Sequence, residues 1–276
     1  MRNPSPSRRA ALATAVAVPA AATIGTAYAR SVDHATPSSL SFESLHRGLD
    51  DKMHVADGHT TQVLLRWGDG LFSDSPRWTP DGQTAEAQAR QFGTDNDFIA
   101  FMPLPLGSDS SDHGLLCVNH ESAFPQLMFR GVTSREDPNL TKQQVDVQMA
   151  SHGHSIVEVK FENGAWSPVA GSTYNRRIAP AWTEIEISGP AAGHERLKTS
   201  ADPTGKRAIG TLANCAGGMT PWHTVLIAEE NIHQYFGGNP RGTDEEDNHL
   251  RMGITTELYY GWYREYARFN VEHEPH

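Results

Sequence analysis

Cysteine is nearly absent from this chain: Cys117 and Cys215 are the only two in 276 residues. That count excludes a disulfide framework as the organising principle. Basic charge is also short, with 23 Lys and Arg against 33 Asp and Glu and a formal net charge of −10. Such a balance argues against nucleic acid or anionic lipid as partners. Long apolar runs are missing beyond residue 27, and the one run before it, 11–27, is Ala-rich and interrupted by Pro19 and Gly25. No stable membrane anchor is expected from it. Internal repeats are absent too, so no solenoid period organises the chain.

Several catalytic signatures are missing as well. Gly205-Lys206-Arg207 lacks the Ser/Thr and the earlier glycine of a P-loop, and no G-x-S-x-G elbow occurs. The acidic run 244–248 lacks the glycine and distal glutamate of an EF-hand loop and reads as a solvated loop. His152-Gly153-His154 has zinc-ligand chemistry, but it follows an expected helix end and reads as a solvated loop.

What is present begins with a leader. Ser7-Arg8-Arg9-Ala10 precedes the Ala-rich run, and Ala27-Tyr28-Ala29 supplies an A-x-A cleavage site. A basic start, a short apolar centre and small residues before the cut make an export signal, and paired arginines point to the twin-arginine (Tat) machinery as a partner. The expectation is a signal peptide over 1–29 and a secreted or periplasmic protein beginning at Arg30. Residues 30–60 are polar and aperiodic, an irregular arm.

From residue 61 onward the pattern is of short strands with polar or Gly/Pro-rich connections. Val63–Trp67, Asp97–Met102, Gly114–Val118, His154–Phe161, Ala208–Leu212 and Trp222–Ala228 read as strands. Asn163-Gly164 predicts a hairpin joining His154–Phe161 to a strand over 165–169. One helix is expected over Lys142–Ser151, opened by Thr141 with Gln144 at capping-box spacing and closed at Gly153; a weaker helical pattern covers Thr84–Arg90. A mainly all-β fold with one or two short helices follows, as a sandwich, barrel or propeller.

The segment from Asp202 to Asn231 carries the most chemistry. It places Cys215 before a Gly-Gly pair and ends in adjacent Glu229 and Glu230. Both faces of the alternating run Trp222–Glu230 are largely apolar, which predicts a strand buried between sheets. Buried carboxylates are tolerated when paired or bound to metal. A thiolate suits a transition metal and carboxylates suit hard cations. The residues therefore allow a metal site, or a small buried Cys215 with two solvated glutamates. Cys117, inside Leu115-Leu116-Cys117-Val118, reads as a packed hydrophobe.

The same segment resembles the signature of the PhoX-type alkaline phosphatases, D-P-T-G, then G-T-x-x-N-C-A-G-G, T-P-W-G-T and L-T-x-E-E-N. Asp202–Gly205, Gly210-Thr211, Asn214–Gly218, Thr220–Trp222 and Glu229–Asn231 match it. Arg66–Asp69, Gln91–Gly93, Asn96–Phe98, Val118–Glu121 and the run from Met149 to Glu158 also agree. There are two departures: His223 stands where the pattern has glycine, which would crowd the turn beside the site, and Ile227-Ala228 replace a polar pair.

The resemblance implies a β-propeller and a metal-dependent phosphatase acting on phosphate monoesters with calcium and iron. An acidic surface would repel such a substrate, so bound cations are needed to supply local positive charge. Carried over by residue, Cys215 is the iron ligand, Glu230 the motif's carboxylate ligand and Glu121 a calcium ligand. Glu229 and Asn214 are further metal-ligand candidates, or neighbours that orient a ligand. Asn119 is the catalytic candidate, hydrogen-bonding a phosphate oxygen, or else a strand-end turn residue. A disulfide between the two cysteines would consume the thiolate that the motif implies. Members of the family are longer, so the expectation is one incomplete propeller over 61–276, weak or inactive by itself. The other class left open is a secreted, non-catalytic cation-binding propeller module.

Overall fold

The computed structural model describes residues 43–255 and 259–276. The leader, its cleavage site and the first part of the polar arm lie outside the described residues. The chain divides into two compact units, 1–61 and 62–276. Among the described residues of the first, no helix or strand forms, and a local pair joins the His54 imidazole to the Asp50 carboxylate at 2.9 Å.

The second unit is mainly β. Strands β1 (Asn96–Pro103), β2 (His113–His120), β3 (Gly153–Glu162) and β4 (Ala165–Pro168) form an antiparallel meander in that order. This up-and-down run of four strands is the unit from which propeller blades are built. β3 is long enough to serve two partners on one edge. Its C-terminal half pairs with β4 (Phe161↔Trp166), and its N-terminal half pairs with β5 (Arg176–Ile178) through His154↔Ile178. The β3–β4 turn uses Asn163 and Gly164, both at positive φ (55° and 80°), as the Asn-Gly pair predicts for a type I′ hairpin. Two smaller hairpins complete the β structure. One pairs β6 (Glu184–Glu186) with β7 (Arg207–Ile209), and the other pairs β8 (Asn214–Met219) with β9 (Val225–Glu229).

Both faces of the meander are covered. Val118, Val157 and Val159 pack with Leu71 and Phe92 on one side, while Ala100, Met102, Leu115 and Cys117 form the cluster on the other. The helix Lys142–Ser151 opens as its sequence dictates. The Thr141 hydroxyl accepts from Gln144 N–H, and the Gln144 side chain accepts from Thr141 N–H. It stops at Gly153, whose φ of +100° and 2.1 Å approach of a notional Cβ to the Ile178 carbonyl oxygen exclude any side chain. Buried Arg177 holds this junction, donating to the carbonyls of Ala150, His152, His154, Gln91 and Ile178 at 2.6–3.2 Å. Burial lowers its pKa to about 9. Among the described residues, no helix is long and apolar enough to cross a membrane.

Five expectations are corrected. Val63–Trp67 is not a strand. The Gln62 side chain, rather than a paired backbone, binds Trp166 N–H and C=O, and Asp69 draws Arg66 N–H into a turn at 2.7 Å. The expected strand Trp222–Ala228 begins only at Val225, with Trp222 71% exposed in the turn before it, and β9 is not buried on both faces: Leu226 is 64% exposed, while Val225 on the other side packs on the meander. The expected strand over Ala208–Leu212 starts at Arg207 and ends at Ile209, where Gly210 turns at φ +61°. His152 and His154 are not in a solvated loop. His152 is enclosed by Tyr235, Tyr260 and Trp262, and His154 is the buried second residue of β3. The 244–248 run is partly helical, over Glu246–Arg251, with Glu245 paired to Arg196 at 2.6 Å.

Candidate metal centre

The ends of four strands meet at one place. Asp95 and Asp97 flank the first residue of β1, Glu121 follows the last residue of β2, Cys215 is the second residue of β8, and Glu230 follows β9. Antiparallel pairing forces part of this arrangement: Asn96 faces His120 across β1–β2, and Glu121 N–H donates to the Asp95 carbonyl at 2.9 Å. Across β8–β9 Asn214 faces Glu229, and Glu230 N–H donates to the Ala213 carbonyl at 3.0 Å.

Two ladder irregularities aim the side chains. The β1 register shifts between Asn96 and Ile99, and the β8 register shifts between Asn214 and Gly217. Asp97 and Cys215 therefore each sit inside a bulge, a device that re-aims a side chain at the cost of ladder bonds. Gly217 lets the two strands approach, since a Cβ there would stand 2.4 Å from the Phe98 ring. The carbonyls of Cys215 and Ala216 are satisfied by the Asn119 amide, at 3.0 and 3.2 Å.

Donor atoms of Asp97, Glu121 and Cys215 all lie within 4.8 Å of one another. The Glu230 carboxylate reaches the Cys215 thiol by a hydrogen bond. Electrostatics register the crowding. Desolvation, then hydrogen bonding to Asp97 and the charges of Asp95, Asp97 and Glu230, push the Glu121 carboxyl up to about 7. Hydrogen bonds to Glu230 and Asp97, with desolvation and their charges, push the Cys215 thiol up to about 12. Neutral groups back the cluster. Burial holds the buried His120 well below its usual range, and its Nε2 lies 2.7 Å from Ser155 Oγ.

Of the expected ligands, Cys215, Glu121 and Glu230 come together. Glu229 is turned to another task, its carboxylate accepting Leu212 N–H at 2.7 Å. Asn214 is fully buried, its amide donating to the Gly153 carbonyl and Thr211 hydroxyl at 2.8 and 2.7 Å, and its Oδ1 has no partner among the described residues. Asn119 is also fully buried. Besides the two carbonyls its Nδ2 binds, its Oδ1 lies 2.9 Å from His154 Nδ1, so the whole amide is committed within the protein. In this structure it supports the backbone of the Cys215 bulge. Asp95 and Asp97 were not among the expected ligands. A signal for Asp97 existed, an acid followed at once by Phe98-Ile99 where a strand begins, but nothing in it announces the bulge. His223 does not crowd the site: it occupies the turn of the β8–β9 hairpin, at the end opposite Cys215, with φ 65°. Both cysteines are free, Cys117 in the core with its thiol pushed up to about 11 by burial.

A family described as alkaline phosphatase PhoX matches residues 40–276. The chain belongs to that family. Among solved structures, Pseudomonas fluorescens PhoX in complex with vanadate, a transition state analogue, is similar at 33% identity and a TM-score of 0.76. The match covers 85% of this chain and 39% of that one, so the chain spans about two fifths of the length of this PhoX relative. No curated protein matches.

Proposed function

We propose that this chain is an exported, metal-dependent phosphatase of the PhoX family that hydrolyses phosphate monoesters, with calcium and iron at the cluster of Asp97, Glu121, Cys215 and Glu230. The observation that carries the reading is the convergence of a thiol and two carboxylates within 4.8 Å in a PhoX chain. The donor set fits both metals, sulfur for iron and carboxylate oxygen for calcium. The raised Glu121 and Cys215 pKa values fit as well, because like charges crowded without a counterion hold protons that a cation would displace.

Bound cations would supply charge neutralisation at the phosphoryl and leaving oxygens. The protein's part is placement. The two bulges fix Asp97 and Cys215, Asn119 holds the carbonyls of the Cys215 bulge, and the Asp95–Glu121 backbone bond ties the two acidic strand ends together. Four side chains leave a calcium shell of about six to eight oxygens unfilled, so water or protein beyond this chain completes it. Export rests on Arg8, Arg9 and the Ala27-Tyr28-Ala29 site.

The test combines metal analysis with hydrolysis of a chromogenic phosphomonoester at alkaline pH with added calcium. Iron content and turnover should both depend on Cys215, and turnover should rise when the remainder of a full-length PhoX chain is supplied. Turnover unchanged by Cys215→Ala would sink the proposal. The 39% coverage of the relative favours one second reading, a cation-binding module without turnover. Iron retained with no hydrolysis in either form would select it. Precursor retained in the cytoplasm when Arg8 and Arg9 become lysine would support the twin-arginine route, and normal secretion would remove it.

A further inference from the structure

We propose that Arg135 is the protein's own cationic contact for the phosphate oxygens of a monoester at this centre; the inference rests on the phosphatase reading above. The protein's own side chains at the cluster are acidic, so beyond the cations they would hold, a fixed side-chain cation nearby would add to the attraction of a doubly charged ester. Arg135 is half-buried, and its charge acts on the Asp95 carboxyl next to the cluster. Its guanidinium lies over the rings of Phe124, Tyr259 and Tyr260, at 4.2, 4.5 and 5.3 Å from their centroids. It also hydrogen-bonds the hydroxyls of Tyr259 and Tyr260.

Those rings connect it to the centre. The Tyr260 hydroxyl donates to the Ala123 carbonyl at 3.0 Å and accepts Ala123 N–H at 3.1 Å. The Ser122 side chain acts on the proton affinity of both Tyr260 and the Asp95 carboxyl, lowering each. Ser122 and Ala123 directly follow Glu121, and the Asp95 carboxyl feels the Arg135 charge. Yet among the described residues Arg135 forms no ion pair within 4.0 Å with any carboxylate.

The three rings, rather than a carboxylate among the described residues, are what the guanidinium rests against. The loop beneath is fixed too: the Asp137 carboxylate accepts N–H groups of Thr133 and Asn139 at 3.1 and 2.9 Å, and Arg264 donates to the Glu136 and Asp137 carbonyls. An oriented guanidinium with unused donors matches two phosphate oxygens at once, which a lysine ammonium cannot do.

The test is calorimetric titration of the calcium- and iron-loaded protein with inorganic phosphate, with metal content and thermal unfolding measured for each variant. Arg135→Ala should keep its metals and bind phosphate about ten- to a hundredfold more weakly, the range for losing charge-assisted hydrogen bonds. Arg135→Lys, which keeps the charge without the fork, should fall between Arg135→Ala and the unaltered protein. Unchanged phosphate affinity in Arg135→Ala, or loss of metal from it, would overturn the proposal and leave Arg135 as structural support. If Arg135→Ala fails to fold, unchanged affinity in Arg135→Lys overturns the two-oxygen contact. Absence of phosphate binding by the metal-loaded unaltered protein would take down the phosphatase reading and this inference together, whereas a loss confined to the variants supports both.

Discussion

Cys117 and Cys215 sit on strands of the same unit, and both thiols are pushed up, to about 11 and about 12. The causes differ. Cys117 lies mid-strand in β2, 1% exposed, between Ala100, Met102 and Leu115, and only burial acts on it. Cys215 lies in a bulge at the start of β8, and hydrogen bonding of its thiol to the Glu230 and Asp97 carboxylates acts first. The centre of the meander protonates its thiol by exclusion of water, while the strand ends protonate theirs by crowding of acids. A cation bound at the strand ends would reverse the second effect and leave the first untouched. The value of a shift therefore does not identify a functional cysteine; the cause of the shift does.

The sharpest way to break that comparison is to remove each thiol. Cys215→Ala should abolish iron binding with little loss of stability, whereas Cys117→Ala should keep iron and lose about 1–2 kcal/mol, as buried large-to-small changes do. Elemental analysis and urea unfolding measure the two, and equal iron in both variants would erase the distinction. Asn119→Ala comes next. It strips the donor from the part-buried Cys215 and Ala216 carbonyls and leaves the buried His154 Nδ1 without its partner, at about 1–3 kcal/mol for an unsatisfied buried group, and should weaken iron binding because the bulge is no longer held. A loss of phosphate affinity with stability and iron intact would instead restore Asn119 as a substrate contact.

A third test uses pH. The Glu121 carboxyl is raised from 4.5 to about 7 in the folded protein, so between those values the native state binds more protons than the unfolded state. This group's contribution to the stability of metal-free protein therefore falls as pH rises from about 4.5 to about 7. Calcium must displace that proton, so its affinity should rise over the same window. Thermal unfolding at pH 5 and 8, with and without calcium, should show opposite trends, and Glu121→Gln should flatten both. The smallest effect is expected on the outer face of the β8–β9 hairpin. Leu226 is 64% exposed, so Leu226→Thr should change stability by no more than about 0.5 kcal/mol. A loss well above that would mean that the face is covered in solution.

The sequence by itself determined the local pieces. Thr141 and Gln144 fixed the helix start, Asn163-Gly164 fixed the hairpin, and alternating apolar residues fixed β1, β2 and β3, because each signal acts within a few residues. The segment around Cys215 likewise carried the family, and with it Glu121 and Glu230. Tertiary structure decided the rest. It turned Val63–Trp67 into irregular chain, exposed half of β9, buried His152 and His154, engaged Glu229 and Asn119 with backbone groups, and brought Asp95 and Asp97 to the strand ends that hold Glu121 and Cys215. Those outcomes depend on which strand ends meet, on two bulges that shift side chains by one residue, and on partners far away in sequence. Periodicity encodes a residue's face but not its neighbours, and at this centre the neighbours set the charge, the proton affinity and the chemistry.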